Sequence, residues 1–215
     1  MNKRFAIILA VFVVLFAGLL IFGKRDNPGS NDTSGSSDVQ PTEHKTGEGT
    51  TGVTLIEYGD FQCPACAQYF PILQQVKQKY GDQITFQFRH FPLTQIHQNA
   101  LISSRAAEAA GMQGKFFEMH DLLYQNQQSW SESQSPSAIF EQFAQQLSLD
   151  IDKFREDMKS ELVNDLVQAD LREANKLELS STPSFVLDGK KIDNPRSIEA
   201  FFELIDEAIA SKQTQ

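Results

Sequence analysis

The two cysteines of this 215-residue chain stand three apart, in Cys63-Pro64-Ala65-Cys66. No other feature limits the fold as strongly. A β-branched and aromatic run from Val53 to Tyr58 precedes them, Gly59-Asp60 breaks that run, and a helical stretch follows from about Cys63 to Tyr80. The order reads strand, break, helix. Pro64 then falls at the first helical position, where its fixed φ and missing N–H are harmless. The Cys63 sulfur lies near unpaired N–H groups and the positive end of the helix dipole, which favours thiolate over thiol. Thiol pKa values in such motifs fall from about 8.5 to roughly 3.5–7.5. Cys66 lies one turn later on the same face and reads as the more buried, resolving thiol.

Three other readings of the pair stay open. A structural disulfide inside one helical turn constrains little unfolded-state entropy. A zinc site needs four ligands, so His90 and His97 would have to join the cysteines at a spacing unlike common zinc modules. Two inert buried thiols are the third. The redox reading is favoured, and no metal is expected. Phosphate loops and nucleotide fingerprints are missing from the sequence, so no cofactor is expected.

Beyond Tyr80, Gly81 ends the helix, and Ile84 to Phe91 alternates as a second strand. From about 96 to 179 the pattern is helical, with Ser135-Pro136 reading as a helix start and Glu161 to Leu177 strongly amphipathic. Ser184 to Leu187, Asp188-Gly189 and Lys190 to Ile192 read as a hairpin with a type I′ turn. A last amphipathic helix runs from Ser197 to about Ala210. The expected fold class is therefore α/β, a split sheet layer with an all-helical insertion at about 96–179.

The N-terminus is of another kind. Phe5 to Phe22 is apolar and uncharged, with Lys3 and Arg4 before it and Lys24 and Arg25 after it. Some 18 residues span about 27 Å as a helix, close to the hydrocarbon thickness of a bilayer. A retained single-pass transmembrane anchor over 1–25 is the expectation, with a cleaved signal as the alternative. Residues 26–51 are rich in Ser, Gly, Asn and Asp and read as a flexible tether. The globular domain is expected over 52–215. The net charge of −9 argues against nucleic acid and against docking on anionic lipid.

Phe61-Gln-Cys-Pro-Ala-Cys66 resembles the active site of the DsbA family of thiol–disulfide oxidoreductases, specifically its membrane-anchored bacterial members. Tyr58-Gly-Asp-Phe61, Pro71, Arg89-His-Phe-Pro-Leu93, His97, Ala100, Lys115 to Tyr124 and Ser181-Thr-Pro-Ser-Phe185 carry the resemblance further. It implies a thioredoxin-like fold with an inserted helical domain. It implies a cis Thr182–Pro183 bond beside the sulfurs and a buried Glu57 carboxylate beneath Cys66, moving a proton for that thiol. It also implies an extracytoplasmic enzyme that oxidises reduced secreted or surface proteins and is reoxidised by a membrane quinone-linked partner.

Two departures qualify this picture. Ala65 stands where the strongest oxidants carry histidine, and it offers no donor or charge to a Cys63 thiolate. Ser181 replaces a common glycine. A reductase or isomerase on the same fold, or a chaperone-like binder of unfolded chains, are the alternative functions. His44 is expected in the tether, His90, His97 and His120 as packing or surface residues, and Trp130 in the core or a substrate groove.

Overall fold

The computed structural model describes residues 39–214. The expected anchor at 1–25, and the tether as far as 38, lie outside the described residues. Among those described, no helix is long and apolar enough to cross a membrane.

Five strands form one sheet in the order β1-β3-β2-β4-β5: β1 (His44–Thr46), β2 (Val53–Gly59), β3 (Ile84–His90), β4 (Ser184–Leu187) and β5 (Lys190–Ile192). β2 and β3 are parallel, with Glu57 opposite Phe88, and are joined by helix α1 (Pro64–Tyr80). β4 pairs antiparallel with β2, setting Phe185 opposite Glu57. Six helices lie between β3 and β4: α2 (Ala100–Gly111), α3 (Phe116–Gln125), α4 (Gln127–Trp130), α5 (Pro136–Gln146), α6 (Ile151–Asp157) and α7 (Glu161–Lys176). The closing helix α8 (Ile198–Gln213) packs against α1.

Local chemistry accounts for the element ends. Ser160, Asp150 and Ser197 each accept a hydrogen bond from the backbone N–H three residues on, starting α7, α6 and α8. Asp188 and Gly189 take φ of 49° and 82°, as the two central residues of a type I′ turn must. Phe61, Phe86, Phe88, Phe140, Phe185 and Trp130 are fully or almost fully buried between sheet and helices. Trp130 belongs to that core, its Nε1 donating to Leu123 O at 2.9 Å.

The tether reading needs correction at its C-terminal end. Residues 44–46 form an antiparallel edge strand on β3, with His44 opposite Phe88. Thr42 is buried, its N and Oγ1 donating to the two carboxylate oxygens of Asp170 at 2.7 and 2.6 Å. Gln87 Nε2 donates to Thr42 O at 2.9 Å. Gly47 turns the chain at φ 92°, where a Cβ would run into Ile84 O. The segment has few apolar side chains, but its backbone and Thr42 find partners in the sheet and on α7. Composition alone does not register that kind of ordering.

Candidate functional site

The site is built where β2 ends. Asp60 is fully buried, and its carboxylate organises the turn: Oδ1 accepts from Gln62 N at 2.8 Å, Oδ2 from Leu93 N at 2.9 Å and from His97 Nδ1 at 2.7 Å. Its carbonyl accepts from Cys63 N at 3.0 Å. Cys63 is the N-cap of α1, in extended conformation, and Pro64 begins the helix. The cap has no side-chain hydrogen bond, so the first-turn N–H groups are left for the sulfur.

Side-chain amides hold this turn to the inserted helices. Gln127 Nε2 donates to Phe61 O at 2.7 Å and to Cys63 O at 3.0 Å. Gln62 Nε2 donates to Ser131 O at 2.7 Å, and Gln62 Oε1 accepts from Asn99 N at 2.6 Å. Asn99 Nδ2 sits among the carbonyls of Trp130, Ser131 and Ser133, at 2.9–3.2 Å. The side-chain roles of Asp60, Gln62, Asn99 and Gln127 are not legible in the sequence. Most of their partners are backbone groups far along the chain, and residue type alone carries no signal of them.

The two thiols are free and differ in environment. Cys63 is 6% exposed and Cys66 fully buried. A hydrogen bond from the Cys66 thiol, with help from the Thr182 hydroxyl and the N–H groups of Cys66 and Ala65, outweighs burial and holds Cys63 down at about 5. Burial pushes Cys66 well above the usual thiol range, and the hydrogen bond to Cys63 and the negative charge of Glu57 add to it. The pair is thus split into a thiolate at Cys63 and a thiol at the more deeply buried Cys66.

Thr182 and Pro183 face Cys63. The bond between them is cis, and Cys63 Sγ donates to Thr182 O at 3.4 Å. As a thiol, Cys63 leaves the buried Thr182 hydroxyl without a partner; as a thiolate, it can accept from that hydroxyl. Ser184 Oγ donates to Ser181 O, and Asn194 Nδ2 to Pro183 O, each at 2.7 Å, which fixes the loop.

Glu57 is buried on β2, and its Oε1 has no hydrogen-bond partner. Burial raises its carboxyl to about 8; the Lys77 ammonium opposes the rise and Cys63 adds to it. Glu57 is therefore a neutral acid near pH 7, within the electrostatic reach of both cysteines. Tyr124 is buried in the same region, and its hydroxyl also has no partner. Pro64 is exposed and Ala65 half-buried beside the sulfur, and neither carries a charge.

The histidines a zinc reading would need point elsewhere. His97 is bonded to Asp60, and His90 Nε2 to Glu108 Oε1 at 2.7 Å. His120 is buried among Phe61, Phe70, Phe88 and Tyr124, and burial lowers it to about 4.

A family model described as thioredoxin matches residues 39–207. The antiporter NhaA 3 of Salinispora tropica is 35% identical over 169 residues, covering 79% of this chain but 25% of the antiporter. This chain thus spans about a quarter to a third of the length of the curated relatives it matches. Among solved structures, alpha-DsbA1 of Wolbachia pipientis superposes with a TM-score of 0.71 at 20% identity, covering 82% of this chain and 95% of that one. Oxidised BdbD of Bacillus subtilis gives 0.68 at 21%, covering 80% and 96%. These two likenesses are likenesses of fold.

Proposed function

Since the chain belongs to the thioredoxin family and has the DsbA-type fold, we propose that it is an extracytoplasmic protein thiol–disulfide oxidoreductase acting through Cys63 and Cys66. The observation that carries this reading is the split pair: Cys63 favoured as a thiolate by the Cys66 thiol and the Thr182 hydroxyl, with Cys66 protonated and more deeply buried. A structural disulfide needs no such asymmetry.

In the favoured direction the enzyme enters with the Cys63–Cys66 bond formed. A substrate thiolate attacks Cys63 Sγ, a substrate–Cys63 bond forms, and Cys66 leaves as a thiolate. Glu57, neutral up to about pH 8, is the acid that protonates the buried leaving sulfur. A second substrate thiolate then attacks the substrate sulfur, forming the substrate disulfide and releasing Cys63. A low thiol pKa makes Cys63 a good leaving group. The substrate loses two electrons and the enzyme gains them as a dithiol. In this proposal a membrane quinone-linked partner takes those electrons, and the apolar run Phe5 to Phe22 anchors the domain near it. The clients are reduced secreted or surface chains, which can lie against the Thr182 backbone in extended form.

Ala65 favours a second reading, a reductase or isomerase, because it leaves the thiolate without a neighbouring cationic side chain. Thiol trapping in cells separates the two. Mostly disulfide supports the oxidase; mostly dithiol supports the reductase or isomerase. Purified chain should oxidise a dithiol peptide, and Cys63→Ala should abolish that. Retained turnover would remove Cys63 from the mechanism. The match to the antiporters covers too little of them to extend transport to this chain.

A further inference from the structure

Three elements bring imidazole and carboxylate groups together away from the dithiol. His44 on β1 and His90 on β3 both direct Nε2 at one oxygen of Glu108 on α2, at 2.5 and 2.7 Å. One ligand atom from each residue lies within 4.8 Å of the others. His90 and Glu108 are buried, while the His44 side chain is 19% exposed and gives the cluster one open side. Phe116 stacks on the His44 ring, with centroids 3.4 Å apart and planes at 4°, and sets its orientation. The Asp170 carboxylate accepts from His90 N and from Thr42 N and Oγ1, so one buried carboxylate holds β3 and the segment leading into β1.

We propose that His44, His90 and Glu108 form a binding site for a borderline divalent cation of the zinc type, which cross-links β1, β3 and α2. The ligand chemistry selects the ion. Two imidazoles and a carboxylate suit zinc, cobalt or nickel, whereas calcium and magnesium take six or more oxygens. With metal–ligand bonds of about 2.0–2.2 Å, tetrahedral ligand atoms lie about 3.3 Å apart, so the two nitrogen–oxygen separations have to widen by less than about 1 Å. In the metal-free chain the Glu108 carboxylate, which can only accept, holds the ring proton on His90 Nε2; a cation takes that lone pair once the proton moves to Nδ1, which has no other partner. Solvent on the His44 side supplies the fourth ligand. The three residues belong to none of the redox steps above, and the site stands or falls independently of them.

The test uses the full chain carrying Cys63→Ser and Cys66→Ser, so that the dithiol cannot bind metal. After chelation and dialysis it is titrated with zinc chloride and, separately, cobalt chloride. One ion bound per chain is expected, with a melting temperature that rises with zinc concentration. Cobalt should show visible bands of a nitrogen and oxygen site. His44→Gln keeps an N–H for Glu108 but removes the imidazole, and should weaken binding by more than about tenfold, the scale seen when even an outer-shell partner is lost. Its metal-free melting temperature should stay near the parent's. Glu108→Gln is the second variant and should weaken binding likewise. If the three residues serve only as a hydrogen-bonded cluster, zinc gives no saturable binding, and that result overturns the proposal. So does binding whose affinity neither variant changes.

Discussion

The fold shifts Cys63 and Glu57 in opposite directions, the thiol down and the carboxyl up, and each gives a residue-scale prediction. The reduced chain should gain thiolate absorbance near 240 nm with a midpoint near pH 5, and Cys63→Ser should lose that step. Cys66 should contribute nothing until well above its usual range. A midpoint near 8 would mean that the Cys66 thiol, Thr182 and the helix N–H groups do not stabilise the Cys63 thiolate. For Glu57 the folded value, about 8, lies above the unfolded value of 4.5. The unfolded chain therefore loses this proton first, and stability falls as pH rises from about 4.5 through 8. At about 1.4 kcal/mol per pH unit, a carboxyl costs up to about 3 kcal/mol at pH 7 relative to a group that never ionises. Glu57→Gln should recover up to that amount in urea unfolding at pH 7 and change little at pH 4. The same variant should slow exchange roughly 10²-fold through loss of the acid. Unchanged stability at both pH values would place Glu57 in contact with water.

The element scale concerns how the active-site turn and the edge strand are held. Gln127 on α4 donates to two carbonyls of the turn, Phe61 and Cys63. Gln127→Ala should cost roughly 1–3 kcal/mol, since it removes two bonds to buried carbonyls. It should also shift the Cys63 titration, because the Cys63 carbonyl orients the cap. A stability loss with an unmoved titration would make Gln127 a packing residue only. At the far side of the sheet, Asp170→Ala would leave Thr42 N, Thr42 Oγ1 and His90 N without their acceptor. A loss of about 3 kcal/mol or more is expected, with faster amide exchange in β1 than in β2. Uniform exchange across both strands would show that Asp170 does not hold the strand.

For the molecule as a whole, the measurable sum of these effects is the reduction potential. It reports how much more the fold stabilises the dithiol than the disulfide. A Cys63 value of about 5 lies between the roughly 3.5 of strongly oxidising members and the roughly 7 of thioredoxin. The potential should accordingly fall between about −270 and −120 mV in a glutathione titration. A value at or above the upper limit would mean that Ala65 costs the enzyme no oxidising power.

Strand, break, Cys63-Pro64-Ala65-Cys66, the helix to Tyr80 and the Asp188-Gly189 hairpin were legible in the sequence. Each rests on interactions within a few residues: period-two burial, proline at the first helical position, glycine at positive φ. The α/β class follows from their order. What lies between distant segments was not legible. Residues 44–46 join the sheet through backbone pairing, which leaves no mark on composition. Asp60, Asn99 and Gln127 act through bonds to backbone groups elsewhere in the chain. His44, His90 and Glu108 meet only because β1 lies beside β3 and α2 packs across them. Periodicity and caps are local and are written in the chain. The pKa values of Cys63 and Glu57, and the company His44 keeps, depend on burial and on neighbours that only the tertiary structure brings together.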